Sequence, residues 1–338
     1  MHVLYHVQAI MIMESNEYSP SAATNYEKFL FSIAKGLLDA LPASDKSFSR
    51  LLGEAPFLSV SILELLEDVC CSGDGDRITQ GLAAIWNLIL SRPSNRLACL
   101  DIVLKCAVHA KDEVRTKAIR LVVNKLYSLS YACENIENFA KKMLLSAVDH
   151  QVSESDLRCS SSSGQRMETC NPENSTSVSQ NNENGVPESK SMKDVPSFSK
   201  NVQLMSLSQA QQKASLFFAL CSKKPSLFKL IFDIYGHVPK AVKQCIHRHV
   251  PILLRNLGLS SNVLKDLISN PPEGCENLIT LVLQVTTEES VASADLIAAV
   301  KHLYENRMKD AAILIPILSS LSKDERCYQY FHGWLIFQ

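Results

Sequence analysis

The sequence predicts an all-α chain of stacked helical hairpins, an α-solenoid, in two blocks separated by a disordered linker. Three observations predict it. Apolar residues recur at helical spacing over most of the chain, whereas alternating strand-like runs bounded by turns are lacking. The stretch from Asn95 to Tyr127 reads as two helices joined by a short turn, and one such hairpin cannot bury its own apolar stripe without stacked neighbours. From about Asp149 to Lys200 the composition changes to Ser, Asn, Glu and Pro with few aliphatic residues, too little apolar surface to offset the entropy of ordering. The domain reading is a helical block over 1–149, a linker over 150–205, a second helical block over 206–325 and a divergent tail over 326–338.

The central hairpin places Leu97, Leu100, Ile102, Val103, Leu104, Ala107 and Val108 on one helix. After Ala110-Lys111 the period restarts with Val114, Ala118, Ile119, Leu121, Val122 and Leu126. Asp112 and Glu113 suit the positive end of the second helix and Lys125 its negative end. Asp-Glu-Val-Arg followed by Ala118 and Leu121 resembles the second helix of a HEAT repeat, so the expected class is HEAT/ARM-like. Pro225 to Leu254 aligns with Pro93 to Leu126 if its first helix is about one turn shorter, with His237 on His109, Lys243 on Arg115 and Arg248 on Arg120. Both units open with a basic residue followed by Pro-Ser. The HEAT pattern has an Asp where His109 and His237 stand, which puts an Asp-Arg ladder in doubt.

Earlier elements follow the same logic. The apolar start MHVLYHVQAIMIM lacks a basic leader region and a small-residue cleavage site and is too short to span a bilayer; the expectation is a helix cut from a longer array in a soluble, intracellular protein. Tyr26, Phe29, Leu30, Ile33, Leu37, Leu38 and Leu41 share one stripe of a helix over 23–41. Ser44-Asp45 can cap a second over 46–54, and Val60, Leu63, Leu66 and Val69 face inward on a third over 58–71. Ser72 to Asp76 reads as a turn, 77–91 as a helix stopped by Pro93, and 135–148 as another. Beyond Ser208, seven more segments show helical spacing, and Pro251 inside one of them should kink it.

Composition excludes several functions. With 46% hydrophobic and 20% charged residues in 338, the chain can bury a sizeable core; its net charge of −1 supplies no global field for phosphate backbones or anionic membrane. The eleven cysteines read as reduced, mostly buried thiols, with Cys70, Cys71, Cys99 and Cys106 as core residues. Gly73 to Asp76 resembles the start of a calcium loop, but Ile85 stands where the closing Glu belongs, and a helix-joining turn is the better reading. Cys245, His247 and His249 lie close together without the partner pair zinc needs. Asn174-Ser175-Thr176 is a formal glycosylation sequon, read as unmodified. No phosphate-cradling loop or nucleophile signature occurs, so no catalytic, cofactor or metal residue is expected. The strongest basic cluster is Lys240, Lys243, His247, Arg248, His249 and Arg255. Either it is a solvated helix face or it contacts an acidic partner segment; RNA ranks below because no aromatic is interleaved.

Long colinear stretches then resemble one family. YEKFL, GLLDAL, LLGEAPFL, SILELLEDVC, RPSNRLACLDIVL and DEVRTKAIRL are similar to the helical region preceding the C-terminal domain of symplekin. SLFFALCSKKPSLFKLIFDIY, AVKQCIHRHVPILLRNLG, NPPEGCENLITLVL and KDAAILIPILSSLSKDE resemble that C-terminal domain itself, and the serine-rich linker suggests a plant-like member. The resemblance implies a nuclear, non-catalytic scaffold of pre-mRNA 3′-end cleavage and polyadenylation. It would hold the endonuclease of the cleavage and polyadenylation specificity factor and its inactive homologue together with the cleavage stimulation factor. No direct nucleic acid, membrane or small-molecule partner is expected. The family's amino-terminal HEAT domain has no counterpart here and the likeness ends after Glu325, so the expectation is a truncated form, in the extreme one that does not assemble. Arg115, Arg120, Lys240, Lys243, Arg248 and Arg255 are the expected edge-exposed protein contacts. The competing readings are an importin-like transport adaptor, which a broad acidic inner surface or tandem repeat asparagines would favour and neither of which the sequence offers, and a subunit of an RNA-processing hydrolase.

Overall fold

The computed structural model describes residues 2–14, 21–148, 205–257, 262–289, 291–308 and 311–321. The expected linker, the sequon and the divergent tail lie outside them, apart from residue 205. Among the described residues there is no β-strand. The α-helices are α1 (His2–Glu14), α2 (Ser21–Ala40), α3 (Ser47–Glu54), α4 (Val60–Ser72), α5 (Gly75–Ser91), α6 (Arg96–Cys106), α7 (Asp112–Asn124), α8 (Ser130–Ser146), α9 (Leu207–Cys221), α10 (Phe228–Tyr235), α11 (Lys240–Leu257), α12 (Asn262–Ser269), α13 (Glu276–Glu289) and α14 (Ala294–Leu303). A π-helical turn, Tyr304–Met308, and a 3-10 segment, Ala311–Ser320, follow.

Local chemistry explains the joints. The Asp74 carboxylate accepts from the Arg77 N–H at 2.9 Å, so α5 begins at Gly75 and the expected five-residue turn shrinks to two. Asp45 accepts from the Ser47 N–H at 2.6 Å and starts α3 one residue later than expected. Ser206 and Gln209 form a reciprocal capping box at the start of α9. Pro93 and Pro225 each open a one-turn 3-10 segment ahead of α6 and α10, where a missing N–H costs nothing. α6 and α10 have 11 and 8 residues, the one-turn difference the internal alignment requires. α11 runs through Pro251, whereas 311–320, expected as a helix, winds as 3-10 around Pro316.

Packing sorts the helices into two rows. α2, α4, α6 and α8 pack each on the next in one row, with α10, α12 and α14 also packed in series. α3, α5, α7, α9, α11, α13 and the 3-10 segment pack in series in the other. The alternation does not break between α8 and α9. Those two helices pack directly on each other, and α9 also packs on α7, so the stretches expected as two separate blocks form one compact unit. The physical reason is that α8 buries Ala132, Ile136, Ala140 and Leu144 while α9 buries Ala210, Ala214, Phe217, Phe218 and Cys221, and each apolar stripe needs the other. Composition marked an insertion inside a hairpin, not a boundary between cores.

Side chains tie successive hairpins together at a recurring separation. Arg77 Nη2 donates to the carbonyls of Leu38 and Leu41 at the end of α2, at 2.8 and 2.5 Å. Arg92 reaches Gly53 and Ala55 at the end of α3, Asn87 reaches Ser49, Lys105 reaches Glu67, and Lys111 reaches Cys71. These bonds span 36 to 40 residues of sequence. Those from Arg77, Arg92 and Lys111 satisfy carbonyls that helix C-termini leave without internal partners, whereas Asn87 and Lys105 bond to side chains. Three apolar residues expected on inward stripes face out instead: Phe29, Val60 and Leu97, the last 68% exposed. Ile62, Cys99 and Leu100 take the neighbouring inward positions.

Candidate partner-contact surface

The six expected contact residues come from α7 and α11, which flank α9 in the same row. On α7, Val114, Ala118 and Val122 are buried at spacing four. Arg115, next to Val114, is buried with them. Its Nη1 donates to the carbonyls of His109 at 2.8 Å and Ala110 at 3.2 Å, and its Nη2 to the Asp112 carboxylate. The expected edge contact is therefore a structural brace of the α6–α7 turn, and Arg115 is removed from the surface. Arg120, two residues from both Ala118 and Val122 and so on the opposite face of the helix, is exposed.

α11 is strongly two-sided. Val242, Cys245, Ile246, Val250, Leu253 and Leu254 are buried, and Lys240, Gln244, Arg248, Ile252 and Arg255 form one exposed stripe. Lys243 lies at its margin, half-buried, with its ammonium 5.0 Å from the centre of the Tyr235 ring. That ring stacks on His247 at 6° between planes, and the Tyr235 hydroxyl lies 2.6 Å from His247 Nε2. Burial first, and then the Lys243 charge, hold the His247 pKa below the ordinary imidazole value. His249 stacks on Phe218 with ring centres 4.5 Å apart, and its Nδ1 lies 2.9 Å from the Cys245 carbonyl. Both histidines thus belong to packing, and the basic stripe consists of Lys240, Arg248 and Arg255.

The sulfur-rich part of the core sits elsewhere. Cys70, Cys99 and Cys106 are buried, and Cys71 is half-buried with its Sγ 3.8 Å from that of Cys106. Burial pushes the Cys71 thiol up to about 12 and that of Cys99 up to about 11, so both are protonated at neutral pH. Among the described residues no three His, Cys, Asp or Glu side chains converge on a point that could hold a metal ion. Two clefts of about 680 and about 670 Å³ open on the surface, and neither has a His or Cys in its lining.

One polar site escaped the sequence reading. Glu137, buried on α8, accepts from Lys224 Nζ at 2.8 and 3.0 Å and from the Tyr127 hydroxyl at 2.8 Å, with Cys133 and Lys141 beside it. Lys224 lies just after α9, so this carboxylate joins the two halves of the chain. The available signal was a Glu between Ile136 and Ala140 on an otherwise apolar face; its partner, 87 residues away, leaves no local trace. Gln212 adds a bond to the Val108 carbonyl at 2.6 Å and Lys213 one to the Ser146 carbonyl at 3.3 Å across the same junction.

No family model matches the chain, and no solved structure matches it.

Proposed function

We propose that this chain is a non-catalytic scaffold, an α-solenoid of HEAT/ARM-like hairpins acting in nuclear pre-mRNA 3′-end cleavage and polyadenylation. The observation that supports the architecture is the two-row alternation of helices, with side-chain bridges recurring between successive hairpins. The choice of process and partners rests on the resemblance to symplekin. In this reading the array holds the endonuclease of the cleavage and polyadenylation specificity factor, its inactive homologue and the cleavage stimulation factor. Its work is to raise the subunits' effective concentration for one another rather than to lower a chemical barrier. Spacing between clients is set by helix packing, since the segments on either side of 149–204 share one compact unit. Arg120, Lys240, Arg248 and Arg255 are the exposed members of the expected contact set.

The test is co-purification of the full chain with the endonuclease subunit and its inactive homologue. Capture of that pair by folded chain supports the scaffold. Folded chain that captures neither subunit nor the cleavage stimulation factor rules it out.

A further inference from the structure

We propose that the outward face of α11 docks an acidic amphipathic helix of a partner protein, a proposal that rests on the protein-contact role given above to this surface. The 18 residues of α11 carry Lys240, Lys243, Arg248 and Arg255 and neither Asp nor Glu. Three of these cations stand in one exposed stripe, eight and then seven residues apart. At the rise of an α-helix these intervals are about 12 and about 10 Å, roughly two turns each. A second helix crossing at a shallow angle would meet each cation with a carboxylate two turns from the last. Between Arg248 and Arg255 the stripe exposes Ile252, 53% accessible, a seat for one apolar side chain; between Lys240 and Arg248 it exposes Gln244, a hydrogen-bonding group.

The same pattern fits other polyanions poorly. Phosphates follow one another at about 3.4 Å along a duplex strand, far denser than these cations, and no aromatic stands in the stripe for an unpaired base to stack on. A membrane-surface helix buries its apolar face in lipid, whereas the apolar face of α11 is already buried in the protein. Discrete, widely spaced charges around one apolar contact match a helix face. Cation spacing then sets specificity, because a carboxylate out of register meets Gln244 or Ile252 instead of an ammonium or guanidinium.

Fluorescence anisotropy with the full chain tests this. The probes are a labelled helical peptide with glutamates at the matching eight- and seven-residue intervals and a leucine between the last two, and a peptide of the same composition with those positions scrambled. A uridine-rich RNA oligonucleotide and phosphatidylserine vesicles complete the set. The matched peptide is expected to bind about tenfold or more tightly than any other probe. Arg248→Glu and Lys240→Glu are each expected to weaken it about tenfold while leaving the thermal transition in place. Equal binding of the scrambled peptide, preference for RNA or vesicles, or insensitivity to both charge reversals would overturn the proposal. Capture of the endonuclease pair equally by wild type and Arg248→Glu removes this face from the scaffold's contacts without touching the scaffold itself. Matched-peptide binding by a chain that captures no subunit sustains the docking site and removes the scaffold.

Discussion

Replacing Glu137 by Ala should loosen the junction between α8 and α9 more than a surface change would. The carboxylate is 9% exposed, and its two ammonium partners are not: Lys224 and Lys141 keep 47% and 37% of their side-chain surface in water. Once freed, both lysines rehydrate, so the ion pairs themselves add little. The cost falls on the half-buried Tyr127 hydroxyl, which loses its acceptor, and on the cavity left beside Ile136 and Ala140. Orphaning such a group costs about 1–3 kcal/mol, and in a unit of this size about 2 kcal/mol lowers Tm by about 4–8 °C. Glu137→Gln keeps an acceptor for Tyr127 and should lose about half as much. The pH dependence has a definite sign. Burial pushes the Glu137 carboxyl up, but the hydrogen bonds from Lys224 and Tyr127 outweigh it, and the net pKa lies below the ordinary value of 4.5. The stabilisation is therefore fully present above pH 4.5 and fades as pH falls through the folded-state value. Thermal unfolding followed by far-UV circular dichroism, for wild type and both variants from pH 7 down to about pH 3, measures this. If Glu137→Ala melts with wild type at pH 7, the cluster does not hold the junction and the reasoning fails.

Arg77→Ala removes two charge-assisted bonds to the carbonyls at the end of α2 and should cost about 1–3 kcal/mol in urea unfolding, with Arg77→Lys recovering only part because an ammonium lacks the fork. Arg115→Ala should destabilise by a similar amount, whereas Arg248→Ala should stay within about 0.5 kcal/mol of wild type; equal effects would contradict their opposite burial. Cys70, Cys99 and Cys106 should resist an aromatic disulfide reagent at pH 8 until denaturant is added, with mass spectrometry identifying the labelled positions; early modification of Cys99 would argue against its raised pKa.

Helices were legible in the sequence because their signal is local. Apolar spacing located α2, α4 to α7 and α11, and Pro-Ser marked the entries to α6 and α10, since backbone chemistry at a helix end depends on three or four neighbouring residues. Facing was less legible. Val60 and Leu97 carry the right chemistry for a core and sit at helix starts, where no preceding turn constrains which side they take. Arg115 and Arg120 read alike as charges on one helix, and only the position of the α6–α7 turn decides that one braces it and the other meets water. The junction was illegible for a different reason. Glu137 and Lys224 find each other across a composition break, and nothing in either neighbourhood encodes the distance between them in space.

That junction has a consequence for the chain's topology. Residues 149–204 connect one helix of a packed pair to the other, so the pairing is held by contacts between α8 and α9 themselves and not by the connection. Insertions, deletions or a protease nick in this stretch should therefore leave the paired helices in register. It is the natural place to split the gene into two co-expressed halves, and the first place to insert a reporter domain.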